Sequence, residues 1–198
     1  MQYLTQTKMS VETANLLESD LSKFDIGDYN AGNKWKDILW YPFNYLILNS
    51  SIPWPSSMKA SLLRLFGAKV GTGLIIKPRV IIKSPRRLII GDNCWIGESV
   101  WIDNLDDVEI GNNVCISQGA MLLTGNHDYN KINFPYRLGS IVLEDGVWVG
   151  AKSVVCPGVK CLSHAILTVN SVATKSLEPR KIYSGNPAVY IRDRKITD

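Results

Sequence analysis

The sequence predicts an all-β chain wound as a parallel β-helix of about five coils, preceded by a partly helical segment and followed by a short tail. Three observations carry this. Apolar residues recur every six positions between residues 70 and 173. Small or β-branched residues recur four places after them. The few longer steps all fall at one point of a three-step cycle.

The beat runs through Val70, Ile76, Ile82, Ile90, Ile96, Ile102, Ile110, Ile116 and Leu122, and resumes at Leu143, Val149, Val155, Cys161, Leu167 and Ala173. Of its fourteen steps, eleven are six residues, two are eight and one is twenty-one. Neither the 3.6-residue period of a helix nor the two-residue alternation of a strand sustains a period of six. A short strand followed by a tight corner does, and three such units close one triangular turn. Glycine follows the beat residue at positions 71, 91, 97, 111 and 150, as a corner with unusual backbone angles would favour. Four places after the beat stand Val80, Cys94, Val100, Val114, Ala120, Val147, Ser153, Val159, Ala165 and Ser171, which fit the inside of a narrow prism. Five coils at the usual strand spacing rise roughly 24 Å. Both eight-residue steps and the twenty-one-residue step separate the third face of one coil from the first face of the next. The insertions therefore emerge along one edge.

Three segments follow from this pattern: residues 1–69 as an arm and capping segment, 70–176 as the β-helix with an insertion at 123–142, and 177–198 as a closing turn and basic tail. A helix is predicted around 11–23. Another is predicted over "SMKASLLRLFG" at 57–67, with a serine cap, an apolar face of Met58, Leu62, Leu65 and Phe66, and Gly67 as its stop. Covering the open first coil is the plain role for this region, since a repeat end exposes core and unpaired strand. Contact with a membrane surface through Trp35, Trp40 and Tyr41 is the sharper one.

At 198 residues and 45% hydrophobic, the chain needs no more than one domain. No early stretch has the pattern of a secretory signal. The longest apolar run, "DILWYPFNYLILN" at 37–49, falls short of the about 20 residues a spanning helix needs. A cytoplasmic protein is expected, with the inner face of the membrane as the site of any contact. The cysteines at 94, 115, 156 and 161 form no C-x-x-C pair and read as reduced, structural residues. No metal is expected. Residues 175–198 hold Lys175, Arg180, Lys181, Arg192, Arg194 and Lys195 against three acidic residues, a balance of +3. That suits a solvated tail or a phosphate-binding edge. No nucleic-acid motif accompanies the charge.

The long insertion, "TGNHDYNKINFPYRLGS" at 124–140, contains His127, one of two histidines in the chain. A loop histidine serves as a general base or as a local hydrogen-bonding group; an ordinary imidazole, with a pKa near 6.5, suits the first task. Together with "WIDNL", "CISQGAMLLTGNHDYN", "VWVGAKSVVCPGV" and "IYSGNPAVYIR", this stretch resembles the hexapeptide-repeat acyltransferases, in particular the branch that O-acetylates sugars in colanic-acid and other surface-polysaccharide synthesis. The match covers about residues 68–194.

The resemblance implies a left-handed β-helix, a homotrimer, acetyl-CoA as co-substrate and a sugar or glycan acceptor, free, nucleotide-linked or lipid-linked. It implies that His127 is the base. Asp103, Asn104 and Asp128 are the candidates to orient the imidazole or hold the acceptor. For coenzyme A it implies Ala151 beside the pantetheine, Thr174 and Lys175 near the nucleotide, Arg192 on the phosphorylated ribose, and Asn186 and Pro187 shaping the closing turn. Sugar acetyltransferases of the galactoside and maltose type carry an acceptor-binding asparagine where this chain has Gly97. Lys131, Phe134, Tyr136 and Arg137 are further candidates for acceptor contact. A non-catalytic scaffold and a metalloenzyme on the same prism are the competing readings, the second short of the three histidines it would need.

Overall fold

The computed structural model describes residues 17–27, 29 and 34–197. The six-residue beat takes the form of strands two or three residues long, separated by tight corners. The strands stack in parallel, and their register follows the beat residue for residue. Val70, Ile90, Ile110, Leu143 and Cys161 align on a first face. Ile76, Ile96, Ile116, Val149 and Leu167 align on a second, and Ile82, Ile102, Leu122, Val155 and Ala173 on a third. Five coils are complete. A bridge from Cys161 to Leu177 on the first face, and the strand Lys181–Gly185 beside Ile166–Leu167 on the second, begin a sixth.

The prism interior is filled by the two predicted sets. Beat residues are buried apart from half-buried Val70, and all ten residues four places on are at most 2% exposed. Each fully buried Ile or Leu contributes on the order of 2 kcal/mol. The two serines among them are satisfied: Ser153 Oγ donates to the Thr168 carbonyl (2.6 Å), and Ser171 Oγ accepts from the Gly185 N–H (3.0 Å).

The corner glycines have a different cause from the one predicted. None of the five adopts a positive φ; the left-handed residue comes three places after the beat, at Arg79, Asn93, Ser99, Asn113, Lys152, His164 and Asn170 and at four glycines, with φ between +55° and +78°. The glycines that follow the beat directly are required by close approach of the next coil. A Cβ on Gly97 would lie 2.6 Å from the Gln118 nitrogen, and one on Gly150 would lie 2.6 Å from the Thr168 carbonyl carbon.

Helix α1 (Lys34–Phe43) runs on into a π-helical turn (Asn44–Leu48), and α2 spans Ser56–Leu65. Together they close the open edge of the first coil, one face at a time. On the first face Arg64 donates to the carbonyls of Val70 (3.0 Å) and Gly71 (2.6 Å). On the second, Ser56 Oγ accepts from the Ile76 N–H (3.0 Å), while Lys59 Nζ donates to the carbonyls of Ile76 (3.2 Å) and Lys77 (3.0 Å). On the third, Trp40 Nε1 donates to the Ile82 carbonyl (2.7 Å), and the Asn44 amide oxygen accepts from the Ile82 N–H (3.4 Å). Groups that would otherwise invite another strand are thereby paired.

This arrangement corrects three expectations. Of the predicted apolar face of α2, Leu62 and Phe66 pack against the core and Met58 is half-buried, but Leu65 is 76% exposed, and the fully inward side is Lys59, Ala60 and Leu63. The helix satisfies a polar edge as well as an apolar core, so it is rotated away from the purely apolar choice. Its N-cap is Pro55: the helix begins at Ser56, which bonds Ile76, so the predicted cap Ser57 lies within the first turn. Trp40 is buried in the cap and unavailable to a membrane, whereas Tyr41 is exposed; the side chain of Trp35 lies outside the described residues. The stop at Gly67 stands, with φ +102°. Of the helix predicted around 11–23, positions 11–16 lie outside the described residues, and only a 3-10 turn, Leu21–Lys23, follows. Among the described residues no helix is long and apolar enough to cross a membrane.

Candidate active site at the insertion corner

The long insertion leaves the prism as an antiparallel hairpin. Gly125–His127 pairs with Tyr136–Leu138, and His127 stands opposite Tyr136. Its base is anchored by Thr124, fully buried, whose hydroxyl donates to the Asp103 carbonyl (3.0 Å) and accepts from the Asp106 N–H (2.9 Å). The hairpin is thereby bound to the shorter insertion one coil below it, as expected for insertions sharing an edge.

The imidazole is fixed by its own hairpin. His127 Nδ1 lies 2.9 Å from the Phe134 carbonyl oxygen. A carbonyl only accepts, so Nδ1 carries a proton and, in the neutral ring, Nε2 has the lone pair. The Phe134 ring stacks on the imidazole at 4.5 Å and 15°, and Phe134 adopts φ +46° to present both its ring and its carbonyl. Tyr136 (5.0 Å) and Phe24 (5.8 Å) complete an aromatic collar. Phe24 belongs to the N-terminal arm, which reaches the hairpin through a bond from the Asp20 N–H to the Ile132 carbonyl (2.9 Å). The histidine lines a cavity of about 290 Å³ with Lys83, Asp103, Leu105, Gly125, Asn126 and Tyr136.

The carboxylate and amide candidates divide. Asp103 shares this cavity but pairs with Lys83 (3.0 Å). Asn104 is fully buried. Its amide accepts from the Ser84 N–H (2.9 Å) and donates to the carbonyls of Ser84 (2.6 Å) and Arg87 (3.2 Å), so it holds the corner and does not face the imidazole. Asp128 accepts from the Asn130 N–H (3.2 Å) and meets Lys131 (3.8 Å), which shapes the hairpin tip. Arg137 is exposed on the hairpin. The orienting group is a main-chain oxygen that no residue-type search would find. The alternation of Phe134 and Tyr136 was the available signal for the collar.

The donor candidates lie on other parts of the surface. Ala151, in the corner between second and third faces, lines a groove of about 460 Å³ with Ser117, Gln118, Trp148, Thr168 and Val169. Thr174 and Lys175 are exposed in the third-to-first corner of the fifth coil. Arg192 is exposed on the final strand, Ala188–Asp193, and Asn186–Pro187 is the exposed, cis-linked turn before it. Gly97 has no room for the asparagine of the galactoside and maltose type, because a Cβ there already meets Gln118. Arg194 is tied down by the carbonyls of Gly146 (2.8 Å) and His164 (3.2 Å), and so belongs to the scaffold.

All four cysteines are free thiols, and burial raises the pKa of each, Cys161 to about 12. None is prepared as a thiolate nucleophile. Among the described residues no group of three or more His, Cys, Asp or Glu is placed to hold a metal.

This combination of a hexapeptide-repeat prism with a corner hairpin presenting one histidine defines an acyltransferase architecture. No family model matches the chain. The protein named colanic acid biosynthesis acetyltransferase WcaF of Escherichia coli K12 is 36% identical over 180 residues, covering 90% of this chain and 99% of that one. Galactoside O-acetyltransferase of the same strain is 28% identical over 159 residues, covering 78% and 75%. The hexapeptide-repeat acetyltransferase of Vibrio cholerae, solved with acetyl coenzyme A, has a TM-score of 0.75 at 22% identity, over 87% of this chain and 93% of that one. The last likeness is one of fold, and the winding is left-handed, against the usual right-handed rule for parallel crossovers. The chain belongs to the hexapeptide-repeat acetyltransferase family.

Proposed function

We propose that the protein is an acetyl-CoA-dependent O-acetyltransferase that modifies a sugar hydroxyl in surface-polysaccharide synthesis, with His127 as general base. The observation that carries this is the bond between His127 Nδ1 and the Phe134 carbonyl, which leaves Nε2 as a fixed acceptor beside a cavity. Nε2 takes the hydroxyl proton while the sugar oxygen attacks the thioester carbonyl. The C–S bond breaks, and the coenzyme A thiolate leaves and regains a proton from the imidazolium. Attack is direct: two of the cysteines are buried, and the thiol pKa of all four is raised, which disfavours an acyl-enzyme route. Lys83 and Asp103 are the charged groups that face the acceptor, and Lys175 and Arg192 supply cations for the donor's phosphates.

The active unit is a homotrimer. Outward residues of the second face are Ile75, Trp95, Cys115, Trp148 and Ile166, and those of the third are Ile81, Trp101, Met121, Val154 and Val172. These two faces are apolar, whereas Lys69, Glu109 and Lys160 charge the first. Trp95, Trp101 and Trp148 are 47%, 39% and 45% exposed in the single chain. His127 and the Ala151 groove lie on different edges of the prism, so a neighbouring copy is needed to join base and donor.

The test is acetyl transfer to a panel of sugars by wild type and His127→Ala. The variant should keep its fold and its acetyl-CoA affinity and lose about 10²- to 10⁴-fold in kcat. Turnover above a tenth of wild type, with chemistry shown to be rate-limiting, rejects the assignment.

A further inference from the structure

We infer that the capped end of the prism is a docking surface for an anionic lipid bilayer. The segment Lys34–Leu48 is apolar around most of its circumference, yet only one side is used by the prism. Trp40, Asn44 and Leu48 face the first coil and are buried. Trp40 and Asn44 bond the edge groups of Ile82, which point away from the second coil, so the opposite side of the segment faces off the end of the prism. That side carries Ile38, Leu39, Pro42, Tyr45 and Leu46, with Leu39 59%, Tyr45 72% and Leu46 61% exposed. A helix this apolar is ordinarily buried on every side.

The charge around it selects the partner. Residues 34–90 contain ten lysines and arginines and one acidic residue, Asp37. Of the ten, Lys59 is buried, and Arg79, Lys83 and Arg87 pair with acidic residues of the next coil. Lys36, Arg64, Lys69 and Lys77 are exposed around the cap and first coil. A second copy of this end would bring like charge against like charge. A nucleic acid would match the cations and leave the aliphatic ridge unsatisfied. A bilayer with acidic headgroups satisfies both, with the ridge at the acyl boundary and the lysines and arginine among the phosphates. The surface is separate from the insertion corner and does not depend on the proposed reaction.

The full chain should co-sediment with phosphatidylcholine vesicles containing about one third phosphatidylglycerol at least about tenfold better than with phosphatidylcholine alone, and lose most of that preference in about 0.5 M NaCl. Leu39→Asp combined with Leu46→Asp changes two exposed positions outside the candidate active site. It should reduce vesicle binding at least about tenfold while leaving the circular dichroism spectrum and oligomeric state as in wild type. Equal binding to both vesicle types, binding to neither, or undiminished binding by the variant would overturn the inference. So would a change of oligomeric state in the variant, which would mean the ridge lies between copies.

Discussion

At the level of single residues, the tautomer of the candidate base is set by the main chain of a neighbour whose ring stacks on it. Phe134 contributes a carbonyl oxygen, and that atom fixes the tautomer of His127. The carboxylates nearest in sequence and on the same edge are engaged elsewhere, Asp128 with Asn130 and Lys131, Asp103 with Lys83. The cationic donor candidates, by contrast, are exposed and stand outside the hairpin. Lys175→Ala and Arg192→Ala should therefore raise the KM for acetyl-CoA and leave kcat nearly unchanged, because phosphate contacts far from the reacting carbonyl bind ground and transition states alike. Steady-state kinetics with acetyl-CoA as the varied substrate check this, and a loss confined to kcat would assign the two residues another role.

Among the elements, α2 holds a fully buried ammonium against two main-chain carbonyls. Burial disfavours the charged form and lowers the pKa of Lys59 below its ordinary 10.5. Below the folded-state pKa both folded and unfolded chains hold the proton, and the full cost of the buried charge is felt. Between that value and 10.5 the unfolded chain binds more protons, so stability rises with pH. Measured against Lys59→Met, wild type should gain stability as the pH is raised toward that limit. Denaturant midpoints of both proteins across the alkaline range check it, and a constant or shrinking advantage would contradict it.

This helix also shows where the sequence was readable. Six-residue periodicity located every beat strand and both sets of core residues, since steric filling of a narrow prism leaves its mark on residue size. It also placed the insertions on one edge. Helix α2 was visible as an element, but its rotation was not, because the carbonyls that draw Lys59 inward belong to residues 76 and 77 and have no residue-type signature. The corner glycines were visible while their cause was not. Backbone-to-backbone approach between coils shows only once the stack is built. Asn104 was read as a candidate to orient the imidazole or hold the acceptor, whereas it holds a corner whose partners are again main-chain atoms.

For the whole molecule, the proposed placing of base and donor groove on separate edges makes a prediction no single-chain enzyme shares. A His127→Ala chain and a chain whose groove is filled by Ala151→Trp should each be nearly inactive as pure proteins. Unfolded and refolded together in equal amounts, they should recover about a quarter of wild-type sites, since each site would draw its base and its groove from independently mixed copies. Activity assays on the mixed and unmixed proteins decide it. Recovery of nothing, with mixed trimers shown to be present, would place the complete site within one chain.

The closing of the first coil by Arg64, Lys59, Ser56, Trp40 and Asn44 has a consequence for ancestry as well as for folding. Each rung meets the rungs above and below it, and these five side chains bond only the first coil, whereas the arm before them reaches the hairpin through Asp20 and Phe24. A duplication or loss of one whole turn would therefore leave the bonds of the cap to the first coil intact, and would change only how far the arm must reach to the hairpin. The prism is a word whose length can change by whole syllables while its opening and closing letters stay the same.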